Sequence, residues 1–293
     1  MKKTLSLILA GVLTAAMALS ASAAWEDCAN PDVKFGVKGI AEGVTWAADG
    51  VWTEGEYAEI AVKDSWKAAA TAEDAMLEAA KTLDYTVGLS WDANYLYGFV
   101  TFYDENGHVN TTGGDGGSLW QQGCMQISAA EVDSVASDRL EYGIALASDT
   151  NDLQFFNWAD YLGGGYDALA NKDFTVVNDG DTMIYEFRIP FSAFSTVAAA
   201  EGSQYGINLL MSWGNDANYI HSNLATGCSG DPGKAADRFA DITLEEAIVI
   251  ETEPETVAED VAAGDAPQTF DAGVIAAVAA IVSAAGYAIS KKR

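Results

Sequence analysis

Apolar and polar residues alternate with a period of two over long stretches of the chain, the pattern of strands with one face in a core. Tyr85, Val87, Leu89 and Trp91 share one face, Asp92-Ala93-Asn94 makes a turn, and residues 95–103 return as an almost wholly apolar strand. A second hairpin is predicted where residues 173–177 and 182–189 flank Asn178-Asp179-Gly180-Asp181, with Met183, Tyr185, Phe187 and Ile189 alternating against Glu186 and Arg188. Tyr205, Ile207, Leu209, Met211 and Trp213 alternate again, and residues 139–147 and 153–158 read as further strands. Helical periodicity is confined to residues 71–81, with a short turn at 191–194. The fold class that follows is all-β, an antiparallel, jelly-roll-like β-sandwich with its core between two sheets.

The two ends break this pattern. Met1-Lys2-Lys3, an apolar run over residues 5–19 and the small-residue stretch Ser20-Ala21-Ser22-Ala23-Ala24 read as a signal peptide over residues 1–24. Trp25-Glu26-Asp27 before Cys28 lacks the small and aliphatic residues of a lipid-modified cysteine. At the other end, residues 270–293 form a hydrophobic anchor helix closed by Lys291-Lys292-Arg293, its uncharged part near the ~20 residues a membrane crossing needs. Pro267-Gln268-Thr269 before it, with the apolar run and basic tail, resembles the signal by which sortases attach surface proteins to the cell wall. A membrane anchor and a variant sorting signal both stay open, and either predicts a secreted protein held at the cell surface. Residues 248–269 are acidic and free of aromatics apart from the anchor boundary, a disordered linker. Residues 25–247 remain for one folded body.

Charge narrows the partners. All 43 acidic residues lie between Glu26 and Asp271, and Lys2, Lys3, Lys291, Lys292 and Arg293 belong to the ends, so the extracytoplasmic part is more acidic than the −28 of the whole chain. Nucleic acid and anionic lipid surfaces are excluded as partners. Cys28, Cys124 and Cys228 allow one disulfide and one free thiol: Cys28 with Cys228 is one pairing, and the apolar neighbours of Cys124 suit a buried thiol.

Several segments, in order, resemble carbohydrate-binding module family 9 and its relatives. They are Asp49-Gly50-Val51-Trp52-Thr53-Glu54-Gly55-Glu56-Tyr57, Leu89-Ser90-Trp91-Asp92-Ala93-Asn94-Tyr95-Leu96-Tyr97, Tyr185-Glu186-Phe187-Arg188-Ile189-Pro190-Phe191, Gly206-Ile207-Asn208 and Arg238-Phe239-Ala240-Asp241-Ile242-Thr243-Leu244. The resemblance implies a sandwich that binds sugar between two clamping tryptophans, with polar groups on the hydroxyls. Trp120 matches one clamp in the family's Trp-x-x-Asp-x-x-Glu run, where this chain has Gly123 and Gln126 in place of the acids. The second clamp falls in a loop that offers Tyr219 and His221 instead of tryptophan, and Asn208 stands in the Gly-Phe-Asn strand.

The implied site is therefore Trp120, Gln126, Asn208, Tyr219 and His221, and the implied partner a carbohydrate. Aromatic faces pack against the C–H faces of pyranose rings, and amides replace the water that sugar hydroxyls give up. A glycine-rich run, Gly113-Gly114-Asp115-Gly116-Gly117, is expected to present Trp120 on a flexible loop. Each residue also has a plainer reading: Trp120 as packing, Gln126 as a solvent-facing strand amide, His221 as a polar loop residue, Glu186 and Arg188 as a solvated strand face. Trp158, Tyr161 and Tyr166 around Gly163-Gly164-Gly165 read as a second aromatic loop, anchored to the body or touching sugar.

No cofactor is required. Structural calcium is conceivable at residues 104–106, 149–152 and 178–181, which Asx turn chemistry explains equally. Gly-x-Ser-x-Gly and His-Glu-x-x-His are absent and the only histidines are His108 and His221, so the chain reads as no enzyme, though a glycosidase needs only two carboxylates across a cleft. The remaining rivals are a component of a glycoside-degrading system, a haem-binding relative using Met125, Met211 and His221, and a wall-displayed adhesin that binds protein.

Overall fold

The computed structural model describes residues 33–60, 66–69, 84–103, 110–111, 116–135, 137–215, 218–224, 226 and 235–250. These form strands β1 (Lys34–Gly39), β2 (Ala58–Glu59), β3 (Trp66–Ala69), β4 (Tyr85–Trp91), β5 (Tyr95–Tyr103), β6 (Cys124–Glu131) and β7 (Leu140–Leu146). They continue with β8 (Leu153–Asp160), β9 (Phe174–Asp179), β10 (Thr182–Pro190), β11 (Gln204–Asn215), β12 (Asn218–Asn223) and β13 (Ala240–Ala247). One hydrogen-bonded path runs β8-β7-β6-β11-β13-β1-β4-β5-β10-β9, with β12 on β11, β3 on β12 and β2 on β4.

The expected hairpins form for the expected reasons. Asp92 turns β4 into β5 by accepting the backbone N–H groups of Asn94 and Tyr95 at 2.7 and 2.8 Å, an Asx turn. Gly180, at φ 70°, turns β9 into β10. The apolar face of each strand points inward: Leu96, Val100, Phe102, Ile127, Tyr142, Tyr185, Phe187, Ile207 and Leu209 are buried in one cluster. Phe102 of β5 meets Trp213 of β11 with ring centroids 6.3 Å apart, which is how the two halves of the path face each other. Phe155 of β8 meets Phe174 of β9 at 6.2 Å, so the two ends of the path curl together. Truncating such a ring costs about 3–5 kcal/mol, and these interlocked aromatics hold the sandwich.

The sandwich is not purely antiparallel. β1 pairs in parallel with β13 on one edge and touches β4 in parallel on the other. Hairpin connections force antiparallel neighbours, but β1 is joined to β4 by a long crossover and to β13 only through the rest of the chain. The N-terminal strand thereby stitches the two halves into one continuous sheet.

Glu186 and Arg188 do not form a solvated face. Residues 40–57 pass over the outer side of β4, β5 and β10, where Trp52 packs edge-on against Phe99 at 5.6 Å. Beneath this strap Glu186 is fully buried, accepting hydrogen bonds from the Tyr57 hydroxyl at 2.7 Å and the Gly50 N–H at 2.6 Å. Burial pushes the Glu186 carboxyl up to about 7, against the opposing pull of those two donors. Arg188 lies between the rings of Trp46 and Tyr95, 5.0 and 4.3 Å from their centroids, and donates to Asp173 at 2.8 Å.

Two more expectations change. A short helix, α1 (Ala168–Asn171), forms after Asp167 caps it by accepting the Ala170 N–H. Trp158 belongs to β8 and Tyr166 packs on Tyr142 at 5.5 Å, leaving only Tyr161 of that aromatic group exposed. The turn at 191–194 forms as a 3₁₀ helix, Phe191–Ala193. The helix expected at 71–81, the signal peptide, Cys28, Cys228, the linker beyond residue 250, the anchor and the 104–106 turn lie outside the described residues. Among the described residues no helix is long and apolar enough to cross a membrane. Cys124 is buried and outside any disulfide.

Candidate functional site

Strands β7, β6, β11 and β12 turn their second face away from the apolar core, and that face is polar. Pairing fixes its rows: Ser212 lies between Cys124 and His221, Leu210 between Gln126 and Asn223, and Asn208 beside Ser128. Ser128 in turn pairs with Glu141, and Gln126 with Gly143. Gln126, Ser128, Asn208, Ser212, His221 and Asn223 are all buried.

Of the run expected as a flexible glycine loop, Gly116 and Gly117 open a 3₁₀ helix, Gly116–Gln121, that closes over this face, while 113–115 lie outside the described residues. The cause is Leu119, which is buried against Cys124, Ala145 and Trp158. Trp158 clamps the helix further, donating from Nε1 to the Gly117 carbonyl at 3.3 Å. Trp158 can lie there because its partner strand carries Gly143: a Cβ at that position would stand 2.4 Å from the indole.

The helix delivers Trp120, half-buried, against β12. Its indole meets Tyr219 edge-on at 5.5 Å and His221 edge-on at 5.9 Å, while Tyr219 and His221 lie 5.2 Å apart. The His221 Nε2–H donates to the Trp120 carbonyl at 3.0 Å. Tyr219 and His221 are thus strand residues, buried in β12, and not members of a loop.

Gln126 is buried, not solvent-facing, and its amide donates to the Ser212 hydroxyl, in the row of His221. Asn208 lies further along β11 with neither amide atom hydrogen-bonded, and the Ser128 hydroxyl and Asn223 carbonyl oxygen are likewise unpartnered. All five sequence-derived candidates therefore share one face. Trp120, Tyr219 and His221 touch; Gln126 joins them through Ser212; Asn208 stands apart along the strand.

The sequence reading did not single out Ser128, Ser212, Asn223 or the ion pair of Arg139 and Glu141, whose Nη2–Oε2 distance is 2.6 Å. Period-two alternation from Gln126 and Asn208 selects Ser128 and Ser212 directly. The haem reading fails on the same alternation, because Met125 and Met211 are buried on the core face and His221 is on the other. Among the described residues no group of three or more His, Cys, Asp or Glu side chains is close enough to hold a metal ion.

An aromatic trio beside a neutral floor of amides and hydroxyls offers stacking and hydrogen bonds without net charge. That chemistry suits a neutral, hydroxyl-rich molecule.

No family model matches the sequence. No curated protein matches it either. Among solved structures, the chain is similar to a carbohydrate-binding module family 9 protein from Caldicellulosiruptor kristjanssonii in complex with glucose, at 16% identity and a TM-score of 0.49, over 75% of this chain and 100% of that one. It is also similar to a family 9 module of the same organism in complex with cellotriose, at 19% identity and a TM-score of 0.43, over 76% of this chain and 98% of that one.

Proposed function

We propose that this protein is a non-catalytic carbohydrate-binding protein of the cell surface. The observation that carries the reading is the convergence of Trp120, Tyr219 and His221 beside the buried amide of Gln126 on one polar sheet face. The indole supplies an apolar surface for a sugar ring, above a buried floor in which Gln126 donates to the Ser212 hydroxyl. Tyr219 and His221, where the resemblance puts a second clamping tryptophan, meet the indole edge-on and act by fixing it.

The targeting ends complete the proposal: a signal peptide over residues 1–24 exports the chain, and residues 270–293 tether it to membrane or wall. A glycan array probed with residues 25–247 tests the binding. Retention of one or more neutral glycans is the expected result, and an empty array sinks the reading. For the tether, a chain ending before Gly273 is expected in the medium; if it stays on cells as firmly as the intact protein, the C-terminus is not the anchor.

A further inference from the structure

Between β1 and β2 the chain makes a loop whose two ends are tied to each other. The Ala41 N–H donates to the Gly55 carbonyl at 2.9 Å, which closes a neck around residues 42–54. Gly43 and Gly55 stand at that neck with φ of 81° and 84°, so rotation there swings the loop without moving either strand. Turns inside the loop close locally, with the Val44 N–H on the Ala41 carbonyl at 3.1 Å and the Asp49 N–H on the Ala47 carbonyl at 3.0 Å. A segment with joined ends and self-contained turns can move as a unit.

What holds it down converges on one carboxylate. The Gly50 N–H donates to Glu186 Oε2 at 2.6 Å. The Trp46 Nε1–H donates to the Tyr57 hydroxyl, which itself donates to Glu186 Oε1 at 2.7 Å. Trp46 and Trp52 add ring contacts to β5, at 5.3 Å to Tyr97 and 5.6 Å to Phe99, so the loop roofs the outer aromatic face of that strand.

The charges around Glu186 decide which way this latch works. The loop carries Glu42, Asp49 and Glu54 and no lysine or arginine. Asp49 repels a charge on Glu186, and Glu56 is buried at the neck beside Tyr57. On either side of Glu186 the pairing residues are uncharged, Phe99 on β5 and Thr175 on β9. Tyr97 of β5 donates to Asp92, and Arg188, two residues along β10, is committed to Asp173 at 2.8 Å. Ionised Glu186 thus places a dry negative charge under an acidic loop, and lifting the loop returns that charge to water.

We propose that residues 42–54 are a flap latched by Glu186, held closed while its carboxyl is neutral and released as that carboxyl ionises, so that pH gates access to Tyr97 and Phe99. The device is separate from the Trp120 site and does not depend on what that site binds. Burial places the closed carboxyl near 7, and a lifted flap returns it to the ordinary 4.5, so release grows across that interval and levels off above it.

The test is amide hydrogen exchange of the full chain, read peptide by peptide and corrected for the intrinsic pH dependence of exchange. Between pH 5 and pH 7.5 the protection of residues 42–54 is expected to fall by about tenfold or more, since each pH unit inside the interval is worth up to tenfold. That of residues 96–102 in β5 is expected to stay constant. Glu186→Gln, neutral throughout, should keep the loop equally protected at both pH values. Asp49→Asn, an exposed change that spares the core, should shrink the fall. Parent protection that does not change with pH, or a fall of the same size in the parent and both variants, overturns the latch. Protection lost equally over residues 42–54 and 96–102 also overturns it, because the carboxyl then acts on the whole sandwich and not on a flap.

Discussion

The imidazole of His221 donates a 3.0 Å hydrogen bond to the backbone carbonyl of Trp120 and meets the same residue's indole in a T-shaped contact at 5.9 Å. One side chain of β12 thus fixes both the backbone and the ring of the residue proposed to meet the ligand. The 3₁₀ helix that carries Trp120 has no long hydrogen-bond ladder of its own, and this bond holds its end against the sheet.

Replacing His221 by Phe keeps a ring in place but removes the donor, leaving the Trp120 carbonyl unpaired in a half-buried position. Such a loss costs about 1–3 kcal/mol, and a domain of this size shifts its melting temperature by about 2–4 °C per kcal/mol. Differential scanning calorimetry is expected to show a fall of that order, together with weaker sugar binding from a loosened indole. An unchanged melting temperature and unchanged binding would show that the bond fixes nothing.

Gly143→Ala tests the other support of the helix. An added Cβ would stand 2.4 Å from the Trp158 indole and 2.9 Å from the Cys124 sulfur, so the indole must move. Overpacking of this kind costs about 1–3 kcal/mol. Because Trp158 donates to the Gly117 carbonyl, its displacement should also lower affinity with no ligand-contacting group removed. Urea unfolding and titration of the same sample read both effects.

Glu186 makes stability depend on pH. Its folded carboxyl titrates near 7, above the ordinary 4.5, so the folded state favours the protonated form. The stability this group contributes is complete below pH 4.5 and is lost as pH rises through 7. Glu186→Gln, neutral at every pH, should melt higher than the parent at pH 8, and the difference should shrink or reverse toward pH 5. Parallel melting curves across that window would remove the buried carboxyl from the account.

Much of the fold was legible in the alternation, and what was lost was lost for identifiable reasons. The β4–β5 and β9–β10 hairpins and β11 carry one apolar and one polar face with a turn signal between, and they form as read. In β12 the core face holds Ser222 beside Ile220, and Asn218 and Asn223 bound it, so its composition imitates a loop. Gly116 and Gly117 likewise imitate a flexible segment, because the burial of Leu119 depends on a strand formed later in the chain. The faces of Glu186 and Gln126 were correctly separated from the core, but alternation tells which side a residue takes and not what covers it. Glu186 finds Tyr57 and Gly50 129 and 136 positions away, a relationship no local pattern carries. The five candidate site residues were found by resemblance, and the unpartnered Ser128 and Asn223 only by geometry.

Trp120→Ala bears on the central claim most directly. The indole is half-buried against Tyr219 and His221, so its removal should cost less stability than the ~3–5 kcal/mol of a core aromatic. Loss of a stacking surface worth about 1–3 kcal/mol corresponds to roughly 10- to 100-fold in affinity. Affinity for the glycan that the parent retains, measured by titration at a temperature where circular dichroism shows both proteins folded, is predicted to fall by that factor. A folded Trp120→Ala protein that binds the glycan as tightly as the parent would contradict the assignment of this face as the sugar site.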